Sequence, residues 1–472
     1  YSFLCFLMQS ILYITENTLH MVHYSSQHQL KFDNFGDLHT MNLNQNNRWI
    51  KLGEKLPWDN LVNIFRKYFS NSGRSSIDPR IVIGSLIIKH KMNLTDEETV
   101  SIIQENPYMQ YFLGLDYFSP EPLFSPTLFV EWRKKFGNQA FSQFSEALFR
   151  VCMASKIKIG NTDLPNKGKL KLDATVADQN ITYPTDLGLL NKGRERTEAI
   201  IDLLYGHVKD KLEVKPRTYR KVARRKYLAE SKKRQNNPKT LRSCIRYQLN
   251  CLDRNVKSIN EMLDLLETNP LTHKTMREFW IIQVVNDQQR EMYQTKSKRC
   301  KDRIVSISQP HVRPIVRGKA GKKVEFGAKL GLAQMDGFVK AQTLSWDAYN
   351  ESADLIPHVE SYKELYGYYP DLVQVDKIYG TNKNRKWCKE RGIRMTVASK
   401  GKSKELSKYA KRKSLKEFNE RNHIEGKIGQ AKQGYGLNNI KAKLSSTSKS
   451  WIGAVLFITN LVKFAEIQGF HF

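Results

Sequence analysis

The segment Lys169-Leu-Lys-Leu-Asp-Ala-Thr-Val176 decides how this chain is read. Leu170, Leu172, Ala174 and Val176 fall at every second position, with Lys171, Asp173 and Thr175 between them. A period of two is that of a β-strand with one buried face. The strand carries an acid, Asp173, on the face opposite its apolar residues. A second short apolar run, Leu372-Val-Gln-Val375, ends at another acid, Asp376. A third acid, Glu425, lies in Arg421-Asn-His-Ile-Glu-Gly426, inside a segment read as a helix over about Leu415–Lys432. The chain has 472 residues and a net charge of +30, with Lys and Arg outnumbering Asp and Glu by 77 to 47. Such an excess attracts polyanions, nucleic acid first and an anionic membrane surface second. An acidic trio in that setting predicts a place where hard divalent cations meet a phosphate backbone.

The length predicts two or three domains. Hydrophobic residues at 40% and aromatics at 11% allow a sizeable core. No apolar stretch is read as reaching the ~18–20 residues that span a bilayer. Tyr1–Ile14 is apolar but lacks a basic start and a small-residue cleavage site, so it is not read as a signal peptide. Residues 1–40 are expected to be an upstream or non-homologous extension, with the true start at Met21 or Met41. The six cysteines are scattered without zinc spacing and are expected to be free thiols in a reducing cytoplasm.

Residues 41–150 read as helical. Pro79 sits in the first turn of a helix opened by Ser76-Ile-Asp, and Thr95 with Glu98 forms a capping-box pattern. This unit is expected to be a DNA-binding domain, with a plain helical scaffold as the alternative. Residues 191–309 read as long helices, in which Ile245, Leu249, Leu252, Val256, Ile259 and Leu263 mark a heptad-like seam. A basic run precedes that seam: Arg220, Lys221, Arg224, Arg225 and Lys226, then Lys232, Lys233 and Arg234. It reads either as a phosphate-contacting surface or as a solvated helix face.

Strands return at Val324. Asp336-Gly337 supplies a hairpin turn, after which Phe338 to Trp346 runs back. A helix within Asn350–Leu365, the strand ending at Asp376, a helix over Asn382–Arg391 and a strand over Arg394–Ala398 follow. The order predicts an α/β fold: an RNase H-like mixed five-stranded sheet with flanking helices, an all-α N-terminal domain, and an all-α insertion between the first and second strands. Right-handed crossovers place the fourth strand beside the first, which puts Asp173 and Asp376 on adjacent strands.

On the last helix Phe418, Arg421, Glu425, Ile428 and Lys432 share one face. An acid between two bases suits Glu425 as a cation ligand, with Arg421 and Lys432 holding phosphate oxygens. A plain surface pair of Arg421 and Glu425 remains the alternative. Three carboxylates suit Mg²⁺ or Mn²⁺. Two such ions ~3.5–4 Å apart can promote in-line phosphoryl displacement.

At these residues the chain resembles a DDE-type insertion-sequence transposase. Leu172 to Asp186, with Leu189-Leu190, is similar to that family's first-Asp block. Val375-Asp-Lys-Ile-Tyr-Gly380 is similar to the second. Phe418, Arg421, Glu425 and Lys432 are similar to its Tyr-x2-Arg-x3-Glu-x6-Lys signature, with Phe in the Tyr position. The helical segment Pro79–Phe136 resembles the family's N-terminal domain, and the likeness covers roughly residues 45–465.

The resemblance implies catalytic and metal-ligating roles for Asp173, Asp376 and Glu425, with two Mg²⁺ or Mn²⁺ ions. It implies cut-and-paste transposition: cleavage at insertion-sequence ends and strand transfer into target DNA. The partners implied are terminal inverted repeats and target DNA, with no membrane, and the chain is expected to act as a homodimer on DNA in the bacterial cytoplasm, associated with the nucleoid. The domains expected are 41–150 for DNA binding, 151–190 with 310–472 for catalysis, and 191–309 as the basic insertion. Arg421, Lys432, Arg220, Lys221, Arg224, Arg225 and Lys226 are the expected DNA contacts. Asp178, Asp186 and Glu325 are rival ligands. An RNase H-like nuclease that does not join ends, and an inactive DNA-binding remnant, are the alternative functions.

Overall fold

The computed structural model describes residues 43–69, 77–154, 165–235, 237–316, 324–397 and 407–472. The expected extension 1–40 lies outside the described residues, as do Ser76 and Ala398. The chain forms two compact units. The first is Tyr1–Asp178 with Lys329–Ser345 and Tyr349–Phe472; the second is Gln179–Ala328 with Trp346–Ala348.

The first unit opens with seven described helices: α1 (Arg48–Lys55), α2 (Trp58–Arg66), α3 (Pro79–Met92), α4 (Asp96–Glu105), α5 (Pro107–Phe112), α6 (Leu128–Lys135) and α7 (Asn138–Met153). Asp78 caps α3 ahead of Pro79, and the Thr95–Glu98 capping box opens α4, both orphan donors being satisfied reciprocally. Asp96 in the first turn of α4 also receives Arg133 from α6 and Lys89 from α3. Lys89 is almost fully buried, and this shared carboxylate compensates its charge.

Strand β1 (Lys169–Asp178) enters next. Leu170, Leu172, Ala174 and Val176 are buried, while Lys171 and Asp173 are half-buried. Strands β3 (Val324–Met335) and β4 (Phe338–Ser345) form the expected hairpin. Its turn is Asp336 (φ 47°) and Gly337 (φ 88°), the two positive values that a two-residue primed turn demands. A bulge falls between Gly331 and Leu332. A side chain at Gly331 would collide with the buried Asp354 carboxylate, so only glycine fits there.

Helix α12 (Leu355–Tyr366) follows a 3-10 turn, Glu351–Asp354. Then come β5 (Leu372–Gln374), the 3-10 turn Lys377–Tyr379, α13 (Asn382–Glu390) and β6 (Arg394–Met395). β4 pairs with β3 antiparallel, β1 lies beside β3, and β5 and β6 extend the sheet parallel to β1. The fold is mixed α/β with a mixed sheet. The expected five strands become six among the described residues, because β2 (Arg313–Val316) pairs with Val324–Gly327 of β3 within the second unit. β2 was not foreseen: Arg313-Pro-Ile-Val316 is too short to show a period.

Helices α14 (Lys408–Tyr435) and α15 (Ser445–Ile467) close the first unit. α14 starts seven residues earlier than expected. α15 corrects the sequence reading twice. It was not foreseen as a helix, and by length and composition it is apolar enough to cross a membrane. Most of it is buried within the unit, against α3, α6, α7, β4 and α14. Buried Ser448, Ser450, Thr459 and Asn460 interrupt its apolar run. Ser448 donates to the Ala442 carbonyl and Thr459 to the Val455 carbonyl, and Asn460 accepts from the Val339 N–H at 2.7 Å and donates to its carbonyl at 2.8 Å.

The second unit is built on α8 (Asp186–Val208), α9 (Arg220–Ser231), α10 (Pro238–Asp264) and α11 (His273–Thr295). The heptad-like seam forms as expected. Leu249, Leu252 and Ile259 are buried, and Ile245, Val256 and Leu263 pack beside them. Buried Arg194 of α8 donates to Gln248, Glu198 and Asn191, which fixes α8 against α10. Among the described residues Cys152, Cys244, Cys251, Cys300 and Cys388 are free thiols.

Candidate active site

β1 and β5 run parallel, with Lys169, Leu170 and Lys171 opposite Leu372, Val373 and Gln374. Asp173 follows Lys171 by two residues and Asp376 follows Gln374 by two. Counted on from that pairing, the two acids fall at corresponding positions, Asp173 in the middle of β1 and Asp376 just past the end of β5. Asp173 is still within β1, and its Oδ1 accepts from the Ala174 N–H at 2.8 Å. Asp376 lies just past β5, caps the 3-10 turn by accepting from the Lys377 N–H at 2.6 Å, and is exposed.

Helix α14 packs on β1 and β5. Lys169 Nζ lies 2.6 Å from Glu420 Oε2, and Gln374 Nε2 donates to the Glu417 carbonyl at 2.6 Å. Arg394 reaches Glu417 from β6. These anchors deliver the next residue, Arg421, to the sheet. Its guanidinium forks between two of the three acids. Nη2 donates to Glu425 Oε1 at 2.6 Å, and Nη1 lies 3.8 Å from Asp173 Oδ2. Arg421 is mostly buried, and its Nε has no hydrogen-bond partner. The buried stripe of α14 runs through Ile424, Ala431 and Tyr435, which leaves Phe418 half exposed and Lys432 partly buried.

Burial pushes the Asp173 carboxyl above its ordinary range. The Ala174 N–H and Arg421 oppose this, while Glu425 and Glu351 add to it. Glu351 thus acts electrostatically on Asp173, and sequence reasoning missed it. It sits on the 3-10 turn before α12, paired with Lys329 at 3.1 Å. No spacing in the chain announces it, because only the folded β3 and α12 bring it near. Tyr379, in the turn after Asp376, is buried with an unpartnered hydroxyl.

Among the described residues no group of three His, Cys, Asp or Glu side chains is already gathered around a point. Asp173 and Glu425 meet through Arg421, and Asp376 follows the end of β5, the strand paired with β1. The donor set nonetheless fits a hard divalent cation. It is made of carboxylate oxygens, and Asp173 carries an uncompensated cost of ionisation that a cation would relieve. Of the rival ligands, Asp186 is engaged by Arg303 and Gln289 within the second unit.

The basic run of the second unit is divided. Arg220 is held bidentate by Asp202, at 2.9 and 2.8 Å, and Lys226 lies over the Tyr247 ring. Lys233 pairs with Glu230. Lys221, Arg224 and Arg225 are exposed on α9.

Residues 373–462 match the family described as transposase DDE domain, and residues 38–135 match that described as transposase domain (DUF772). The first match contains Asp376, Arg421, Glu425 and Lys432. An uncharacterized protein of Rhizobium meliloti, ORF8 in the nfe locus, is 28% identical over 162 residues, which is 34% of this chain and 76% of that protein. No solved structure matches the chain significantly. Two transposase-like segments thus occur in one chain, one of them spanning β5, β6 and α14, and they support DNA as its partner. Over these two segments the chain is similar to transposases, the one at residues 373–462 to the DDE type.

Proposed function

We propose that this chain is a cut-and-paste DNA transposase whose RNase H-like catalytic domain cleaves insertion-sequence ends and transfers the freed strands into target DNA. The observation that carries the reading is the parallel pairing of β1 and β5, which sets Asp173 and Asp376 each two residues beyond the pair Lys171 and Gln374, with Arg421 linking Asp173 to Glu425.

Asp173, Asp376 and Glu425 would hold two Mg²⁺ or Mn²⁺ ions, and Glu351 adds negative charge at Asp173. Bound ions would supply charge stabilisation to the attacking and leaving oxygens of the phosphodiester. The chain's own residues position the strand. Once the carboxylates are neutralised, the Arg421 fork is released to a phosphate, for which its planar donors are suited. Lys432, further along α14, adds a second cation toward the backbone. In the first step water attacks phosphorus and the bond to the 3′ oxygen breaks, leaving a 3′ hydroxyl. In the second, that hydroxyl attacks a target phosphate and the displaced strand leaves with its own 3′ hydroxyl.

Residues 41–150 and the basic helical insertion 191–309 bind DNA in this account, the latter through Lys221, Arg224 and Arg225 with Arg220 and Lys226 beside them. Action as a homodimer would bring two terminal inverted repeats together. The test is product analysis with the DNA that flanks the gene and Mg²⁺. Joined 3′ ends support transposition. Cleaved but never joined ends overturn it in favour of a nuclease.

A further inference from the structure

The first turns of α14 carry no packed face. The helix meets the sheet at Glu417, which is half-buried and anchored by Gln374 and Arg394. Ahead of it, from Lys408 to Lys416, every described side chain is exposed. That is about two and a half turns open on all sides. Lys408, Lys411, Arg412, Lys413 and Lys416 place five cations there, and no Asp or Glu lies among them. None of the five forms an ion pair or a side-chain hydrogen bond with another described residue.

Three effects oppose this arrangement when the chain is alone. Lys408 with Arg412, and Arg412 with Lys416, are like charges at i,i+4, which destabilise a helix. Lys408 and Lys411 sit in the first turn, where the helix dipole disfavours cations, and no acid accompanies them. A short helical segment without tertiary packing is marginal in water. A phosphate backbone answers all three. It neutralises the repulsion, it suits the positive end of the helix, and it supplies the missing contact. Asn419 and His423 continue the stripe of Arg412 and Lys416 at helical spacing, and both are exposed.

We infer that the exposed turns Lys408–Lys416 of α14 are a phosphate-binding surface for duplex DNA, separate from the Arg421 fork. Arg412 precedes Glu425 by thirteen residues on one helix. That is about 20 Å along the axis, the length of about six base pairs. The surface would therefore grip the duplex beside the reacting bond and leave the bond itself to the acids. This placement rests on the proposed role of Glu425; the affinity of the surface for DNA does not.

The test uses the full chain, a triple variant (Lys411→Gln, Arg412→Gln, Lys416→Gln) and Asp173→Asn. Affinity for a duplex of unrelated sequence is read by fluorescence anisotropy in chelator over a range of salt, and folding by calorimetry. The triple variant is expected to bind more weakly, with its log–log salt slope reduced by roughly two to three, at ~0.9 per contact. Its unfolding midpoint without DNA should equal or exceed that of the parent, because like charges have been removed. An unchanged slope overturns the inference. So does a lowered midpoint, which would assign the cations to the fold. Loss of binding to anionic phospholipid vesicles, with the DNA slope unchanged, would assign the surface to a membrane and overturn it as well. Cleavage retained by Asp173→Asn in Mg²⁺, with the slope reduced in the triple variant, overturns the reading of the acids and leaves this surface standing.

Discussion

Asp173 on β1 and Asp376 just past the end of the adjacent parallel strand β5 each follow by two residues a member of the pair Lys171 and Gln374. The match is a strict constraint. A slip of one residue in either strand would turn one acid to the opposite face of the sheet. Helix α14 adds Glu425 through Arg421, so residues distant in sequence share one electrostatic environment.

That environment predicts a stability trade. The Asp173 pKa is raised in the fold, mainly by burial. A raised carboxyl pKa favours the protonated native state. Its contribution is present below the unfolded value and is lost as pH rises through the folded value. At neutral pH the ionised carboxylate therefore burdens the ion-free fold. Asp173→Asn should unfold at a higher temperature than the parent at pH 7.5 without divalent ions, with the gap closing toward pH 4. Mg²⁺ should raise the midpoint of the parent but not of the variant. Calorimetry in chelator and in Mg²⁺ checks both, and a lower midpoint for Asp173→Asn in chelator at pH 7.5 would count against it.

Acid should unfold this protein for a separate reason. His358 is buried on α12 with its pKa pushed down to about 3, first by burial and then by Lys340. His90, buried against Trp451, is also held well below its ordinary range by burial, Lys89 and Arg133. A depressed histidine stabilises the fold above the unfolded value near 6.5, and that stability is lost as pH falls. Each should contribute a slope of roughly 1.4 kcal/mol per pH unit below about pH 6. Denaturant titrations from pH 7 to pH 4.5 should show a shallower slope in His358→Gln, and an unchanged slope would refute the assignment.

Asn460 joins α15 to β4 by two hydrogen bonds to Val339. Asn460→Ala leaves a buried N–H and a buried carbonyl without partners and should cost roughly 2–4 kcal/mol. Urea unfolding measures it; a loss under half a kcal/mol would mean that the two elements are held by apolar packing alone.

The basic helix α9 should show unequal arginines. Arg224 and Arg225 are exposed, whereas Arg220 is already paired with Asp202. Each phosphate contact contributes ~0.9 to the log–log salt slope of DNA affinity. Arg224→Ala and Arg225→Ala should each flatten that slope, and Arg220→Ala should change it less. Fluorescence anisotropy on unrelated duplexes reads this, since phosphate contacts carry no base information. Equal slopes in all three variants would return α9 to a structural role.

Much of this architecture is legible locally. The Asp336-Gly337 turn, the Thr95–Glu98 capping box and the Leu249–Leu252–Ile259 seam each express a short-range rule that the fold obeys. The adjacency of β1 and β5 follows from the handedness of crossovers. What escaped depends on distant partners. α15 looks broken in sequence, because buried Asn460 finds its partner, Val339, only in the fold. The turns that bear Glu351 and Tyr379 are joined by Asn384, a link that no period encodes. The pairing of Arg220 with Asp202 likewise joins two helices that composition cannot relate.

The most direct measurement concerns the acids themselves. Asp173→Asn, Asp376→Asn and Glu425→Gln keep shape and remove one charged oxygen set each. They should be compared for Mg²⁺-dependent cleavage of DNA spanning the element's ends, with DNA affinity measured in parallel. Each variant should bind DNA like the parent and cleave none of it, and combining two substitutions should add no further loss. Parent-level cleavage by any one of the three would show that its residue is no part of the site, and the claim that they act together would fail.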